Sequence, residues 1–165
     1  MSQAASGLVQ LMAHKQWMDK GMYTALQAPE YAERPEMVER ALYWLNHNYI
    51  VDQIFKGHLL GQPCAFTSTV STTFPPLQEL CALSEALNEW LVDYAGQLDD
   101  ISAKEEIEFV YTDGDRGLMT RAQMLMHLSS HGLCHISVTA QALSSQGLPV
   151  PPLLFSTYLN QEVVF

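Results

Sequence analysis

Hydrophobic positions recur at helical spacing in the first third of the chain. In residues 8–28 the apolar side chains lie mostly three or four positions apart, which predicts an amphipathic helix that ends at Pro29. A second helix is predicted over residues 35–60, because Pro35 suits a first helical turn and Gly61 follows the last apolar position.

Two more long helices are predicted after a loop at residues 61–76, which is rich in Ser, Thr, Pro and Gly. The third covers about 77–99 and carries a stripe of Leu and aromatic side chains. The fourth covers about 120–146. Thr120 as N-cap and Gln123 three residues later have the pattern of a capping box, in which each side chain bonds to the other residue's backbone N–H.

Between the third and fourth helices the spacing of hydrophobic positions is no longer helical. Residues 107–111 have the composition of a short strand and residues 112–115 that of a tight turn, which together predict a small hairpin. One more short helix is predicted near 155–160. The whole chain, residues 1–165, is therefore expected to be a single all-α domain: a four-helix bundle with a β-hairpin before the last long helix.

Composition narrows the function classes. Apolar residues make up 48% of the chain and charged residues 16%, which disfavours disorder, and the formal net charge of −10 disfavours nucleic-acid binding. No apolar run is long enough to span a membrane, and the N-terminal residues lack the pattern of a signal peptide. The three cysteines have no CxxC spacing, so we expect a cytoplasmic protein without a disulfide framework.

The last long helix carries the most informative chemistry. Its pattern predicts one inward stripe: Met124, Leu128, His131, His135, Val138 and Ala142. A bundle seam normally holds aliphatic side chains, and a buried imidazole without a partner is costly. Since residues four apart on a helix lie side by side, His131 and His135 are predicted to bind one metal ion. Two core histidines bonded to carbonyls or water are the alternative.

A third ligand must come from another helix at the same depth. His47 lies at the middle of the second helix, and His131 and His135 lie on either side of the middle of the last. His58 is about 16 Å further along the helix axis than His47, and His14 lies off-centre in the first helix, where a boundary position is expected. His47 is therefore the predicted third ligand.

Five further residues have weaker assignments. His127 is predicted to lie on the helix surface or to support the ligands from a second layer, and Cys134 to be a small core residue. Asp52, like Asp19, could orient a histidine or act as a base, but a solvent-facing or capping carboxylate is favoured for both. Trp44 is predicted to be a core residue.

Three neutral histidines would leave one or more coordination positions open, as in catalytic rather than structural zinc sites. Such a site would retain the charge of the ion and could lower the pKa of a bound water or bind a thiolate. The chain has no HExxH motif, so the glutamate base of a zinc protease is missing. Imidazole ligands suit zinc, nickel, iron and copper alike.

Two segments resemble the DinB/YfiT-like family: residues 45–55, which include His47, and residues 125–152, which include His131 and His135. The resemblance implies the same three ligands, an up-down-down-up bundle, a homodimer, and one divalent metal ion per chain, nickel or zinc before iron. Some members activate a low-molecular-weight thiol or act on another small molecule. The chain departs from the family where Ile136 replaces a common arginine.

Three functions follow as hypotheses. The first is a metal-dependent thiol transferase or hydrolase, in which the ion activates a thiol or water. The second is a non-catalytic metal-binding protein, such as a stress-response or sensing protein. The third is a structural bundle that binds no stoichiometric metal.

Overall fold

The computed structural model describes residues 3–64 and 66–161. Its helices are α1 (Gln3–Leu26), α2 (Pro29–Ala32), α3 (Pro35–Leu60), α4 (Leu77–Gln97), α5 (Arg121–Ser144) and α6 (Phe155–Leu159). The strands are β1 (Glu106–Val110) and β2 (Arg116–Thr120), preceded by a 3-10 turn at Ser102–Lys104. No helix among the described residues is long and apolar enough to cross a membrane.

The four long helices run up, down, down and up, as two core clusters demonstrate. The first cluster joins the N-terminal half of α1 to the C-terminal halves of α3 and α4 and the start of α5: Leu8, Met12, Phe55, Leu91, Ala95, Leu125 and Leu128. The second joins the opposite halves: Met18, Met22, Leu42, Leu45, Leu80, Ile136 and Leu143. Helix α1 packs against α4 and α5, and α3 packs against α5, so the predicted four-helix bundle is confirmed.

The hairpin closes one end of the bundle. Strands β1 and β2 pair antiparallel, with Phe109 opposite Gly117. The Phe109 ring covers Gly117 so closely that a Cβ at position 117 would overlap it. The same ring packs against Phe55 of α3, with ring centroids 5.7 Å apart. At the turn, Gly114 has a φ of 96°, a conformation that glycine adopts without strain.

The local sequence signals predicted most helix ends to within two residues of their observed positions. Helix α3 has the predicted bounds and ends at Gly61 with a φ of 63°. The capping box is present, since the Thr120 side chain accepts from the Gln123 backbone and the Gln123 side chain accepts from the Thr120 backbone. Helix α1 begins earlier than predicted, and Pro29, expected only to end it, also begins the short helix α2.

The predicted inward stripe of α5 is wrong in phase. Val138, assigned to the stripe, is 59% exposed. Helix α5 contacts both α1 and α3, and its buried face is centred on the line of Leu128, Gly132 and Ile136. His131, one position before Gly132, therefore lies half-buried at the edge of this face.

Candidate metal centre

The structure brings the three predicted ligands together. His131 and His135 stand one turn apart on α5, and His47 faces them from the middle of α3. Each histidine offers a ring nitrogen, and these three nitrogens lie within 4.8 Å of one another. All three side chains are half-buried, and the cluster could hold one metal ion.

The spacing of the nitrogens suits a transition-metal ion. The Nε2 atoms of His47 and His131 are 3.1 Å apart. Two ligands at a typical zinc–nitrogen length of about 2.05 Å are separated by roughly 3.3 Å in a tetrahedral site and roughly 2.9 Å at a right angle. The ring centroid of His135 lies 4.7 Å from that of His47 and 4.6 Å from that of His131. These distances are compatible with coordination of one ion by all three rings.

The loop between α3 and α4 orients His47. The Nδ1 atom of His47 lies 2.8 Å from the carbonyl oxygen of Thr69. Because a carbonyl only accepts, Nδ1 carries the proton and Nε2 keeps its lone pair towards His131. A hydrogen bond on the far ring nitrogen is the usual way in which proteins fix a metal-binding imidazole.

Burial keeps His131 in its neutral form. Desolvation, with added repulsion from His135 and His47, lowers the pKa of His131 to about 3. Desolvation also lowers the pKa of His135. At neutral pH these two rings therefore have a lone pair available for a metal ion.

Trp44 forms one wall of the site. Its ring stacks on His135, with centroids 4.7 Å apart and an interplanar angle of 16°. It meets His47 edge-on at 5.8 Å. Trp44 is half-buried and contacts two of the three histidines, so its prediction as a core residue missed its place beside the site.

His127 lies one helical turn before His131 on α5. Its ring centroid is 5.5 Å from that of His131 and 4.7 Å from that of Phe55, and burial lowers the pKa of His127. It lies outside the group of three nitrogens. His127 is half-buried, and its assignment to a second layer around the ligands stays a prediction.

The remaining candidates lie apart from the site. His58 packs against Phe109, with ring centroids 4.8 Å apart. His14, expected at a boundary, is 3% exposed and donates to the Leu153 carbonyl at 2.8 Å. Cys134 is exposed, which corrects its prediction as a small core residue. It follows Leu133 on the outer side of α5, away from the helices that cover the buried face.

Asp52 and Asp19 are buried, which corrects the prediction that they face solvent or cap a helix. Both carboxylates pair with Lys15, at 2.6 Å for Asp52 and 2.8 Å for Asp19. Asn88 of α4 completes the network by donating to Asp19 and accepting from Lys15. Asp52 therefore serves the Lys15 ammonium rather than a histidine.

Lys15, which is absent from the sequence-based predictions, is fully buried. The signal was present, because Lys15 occupies an apolar-stripe position between Met12 and Met18 and has an acid four residues later. Its alkyl chain runs along α5, where a Cβ at Gly132 would lie 3.3 Å from the Lys15 Cε. The Lys15 alkyl chain therefore packs against α5, the helix that carries His131 and His135.

The chain matches the family model described as the DinB family over residues 1–162. It belongs to the DinB family. The match covers both segments that carry the sequence resemblance, and with them every residue of the histidine cluster. Among curated proteins and among solved structures, none matches the chain significantly.

Proposed function

We propose that His47, His131 and His135 bind one divalent metal ion, and that this DinB protein uses it to activate a small thiol or water. The reaction would be the transfer of a thiol or a hydrolysis. The observation that carries the proposal is the convergence of three imidazole nitrogens within 4.8 Å, with no carboxylate or thiol in the group. An all-imidazole ligand set leaves the charge of the ion undiminished and at least one position open.

The chain's own residues prepare the site in three ways. The Thr69 carbonyl holds the His47 ring so that Nε2 faces His131. Burial keeps His131 unprotonated, and Trp44 excludes water from one side of His135. The ion, when bound, supplies Lewis acidity that lowers the pKa of a thiol or water in the open position.

The ligand chemistry is compatible with nickel, zinc and iron, and the family resemblance favours nickel or zinc. Imidazole nitrogen is a good ligand for all three ions, whereas magnesium and calcium prefer oxygen. The 3.1 Å separation of two nitrogens lies between the tetrahedral and right-angle values, so it favours neither zinc nor nickel alone.

A non-catalytic metal-binding role, as in a stress-response protein, is the second candidate. One observation favours it: the two buried carboxylates among the described residues, Asp19 and Asp52, are both paired with Lys15. A hydrolase would ordinarily use such a carboxylate as its base.

Metal analysis of the purified protein tests the proposal. We expect about one ion per chain in wild type, and a loss in His47→Ala, His131→Ala and His135→Ala. His58→Ala is the matched control, because His58 lies on α3 but outside the cluster. If wild type holds no stoichiometric ion after loading with nickel or zinc, or if His58→Ala loses it equally, the proposed site is wrong.

Turnover separates the two candidates. Metal-loaded protein is assayed with low-molecular-weight thiols and electrophilic acceptors, and with ester substrates. Activity that disappears in His135→Ala, with circular dichroism unchanged, supports catalysis. Stoichiometric metal without turnover of any of these substrates would instead support the non-catalytic role.

A further inference from the structure

The middle of the loop between α3 and α4 is held to the bundle at one point. Apolar contacts fix the two ends of this segment, since Phe66 packs edge-on against α3 and Phe74 packs against the second core cluster. Among the described residues, the only hydrogen bond from residues 67–73 to the rest of the chain joins the Thr69 carbonyl to His47 Nδ1, at 2.8 Å. The position of this segment therefore depends on a proposed metal ligand.

Ser68 aims the Thr69 carbonyl at His47. The Ser68 hydroxyl accepts from the Val70 N–H at 3.1 Å and donates to the Val70 carbonyl at 3.0 Å. The Val70 N–H and the Thr69 carbonyl belong to the same planar peptide group and point in opposite directions. Because the hydroxyl fixes the direction of the N–H, it also fixes the direction of the carbonyl, which faces the imidazole.

Coordination of His47 through Nε2 would strengthen its bond to the loop. A cation on one ring nitrogen polarises the N–H on the other, and hydrogen bonds with a charged partner are about twice as strong as neutral ones. Groups that bond to a metal-binding histidine in this way typically change metal affinity by about 10- to 100-fold. Coupling of this kind is reciprocal, so the factor that the closed loop adds to metal affinity is the factor by which metal binding favours the closed loop.

We propose that Ser68 and Thr69 form a clasp on His47, so that metal binding orders residues 67–73 and closure of this segment tightens metal binding. Ser68 is a positioning residue, because it acts through the Thr69 carbonyl and the His47 ring. The inference rests on the proposed metal centre and gives it a regulated surface. Val70, which follows the clasp, is 49% exposed. Occupancy of the site is thereby transmitted to the surface of the protein.

Nickel titration of Ser68→Ala tests the clasp. This variant removes a hydroxyl but no ligand, and we expect its affinity for nickel to fall about 3- to 10-fold, the usual contribution of one hydrogen bond. Ser71→Ala is the matched control, because the Ser71 hydroxyl makes the same two bonds to Thr73, further along the loop. Ser68→Thr retains the hydroxyl and should bind nickel as wild type does.

Hydrogen exchange provides a second measurement that is independent of turnover. Saturation of wild type with nickel should slow amide exchange in residues 67–73, and most of all at Val70, whose N–H is bonded to Ser68. By reciprocity, this protection should be at least as large as the loss of nickel affinity in Ser68→Ala. Residues 112–115, in the hairpin turn, are the internal control and should exchange at the same rate with and without nickel.

The failure of the clasp and the failure of the metal centre give different results. If wild type binds no stoichiometric nickel or zinc, the proposed metal centre is wrong and the clasp with it. If nickel binds but residues 67–73 exchange equally with and without it, or if Ser68→Ala binds nickel as tightly as Ser71→Ala, the clasp is wrong and the metal centre stands. Ser68 is exposed, so circular dichroism should show an unchanged fold in its variants. If Ser68→Ala does not fold, the exchange measurement on wild type decides the proposal by itself.

Discussion

Replacement of Lys15 by methionine is expected to destabilise the fold severely. The Lys15 ammonium is fully buried and bridges Asp19 and Asp52 at 2.8 and 2.6 Å. Burial alone would lower the pKa of Lys15, but the attraction and hydrogen bonds of the two carboxylates outweigh it and raise the pKa above its usual value. Lys15 is therefore charged at neutral pH.

The size of the expected destabilisation follows from the two carboxylates that the substitution leaves unpaired in the core. Methionine fills the space of the alkyl chain, but two carboxylates that are at most 7% exposed lose their cation. Removal of one partner from a buried ion pair costs about 3–5 kcal/mol. For a chain of this size, each kcal/mol lowers Tm by roughly 2–4 °C, so Lys15→Met should melt roughly 6–20 °C below wild type.

Urea unfolding followed by circular dichroism at pH 7 measures this loss. Lys20→Met, an exposed lysine on the same helix, is the matched control and should stay within about 0.5 kcal/mol of wild type. The triple variant Lys15→Met/Asp19→Asn/Asp52→Asn removes all three charges and should regain most of the lost stability. A loss below about 1 kcal/mol in Lys15→Met, or a triple variant as unstable as the single one, would refute the reasoning.

Three further predictions concern stability. Burial, together with repulsion from Asp19, raises the pKa of Asp52 to about 6, above its usual value of 3.8, so the folded state takes up a proton between these values. The unfolding free energy of wild type should therefore fall relative to Asp52→Asn as the pH rises from about 4 to 7, by roughly 1–3 kcal/mol in urea titrations. Thr120→Ala removes the capping box and should cost about 1 kcal/mol by the same assay. Gly117→Ala forces a methyl group into the Phe109 ring and should lower Tm by an amount equivalent to about 1–3 kcal/mol.

The helices and the hairpin could be predicted because their signals are local. The capping box at Thr120 and the glycine that ends α3 act within a few residues of the boundary they set. A proline such as Pro29 is ambiguous, since it ends one helix and suits the first turn of the next. The short helix α2 was missed for that reason.

The three histidines could be predicted even though the phase of α5 could not. The pairing of His131 with His135 depends on their spacing of four residues, and the choice of His47 depends on its depth along α3. The predicted inward stripe also favoured this pair, and because the buried face is centred only one position away, both rings still lie at its edge. The hydrogen bond from His47 to Thr69 could not be predicted, because it depends on the path of a long loop.

The buried charges were missed for a different reason, although Lys15 lies at an apolar-stripe position. Lysine is rarely buried unless it is paired, so a lysine in an apolar stripe is ordinarily expected to extend towards solvent. Only the packing of three helices shows that Lys15 of α1, Asp52 of α3 and Asn88 of α4 meet.

The space that the Lys15 side chain occupies explains why His131 and His135 lie at the edge of the buried face of α5. The centre of that face opposite Lys15 is a glycine, and the lysine alkyl chain lies where a side chain at Gly132 would stand. A larger residue at this position would push α1 away from α5 or displace the ammonium from its carboxylates. The centre of the buried face of α5 therefore packs against α1 and Lys15. The ring of His131, at the edge of this face, is directed towards α3 and His47. The Lys15 charge still reaches His131, since repulsion from Lys15 is one of the smaller causes that lower the pKa of this histidine.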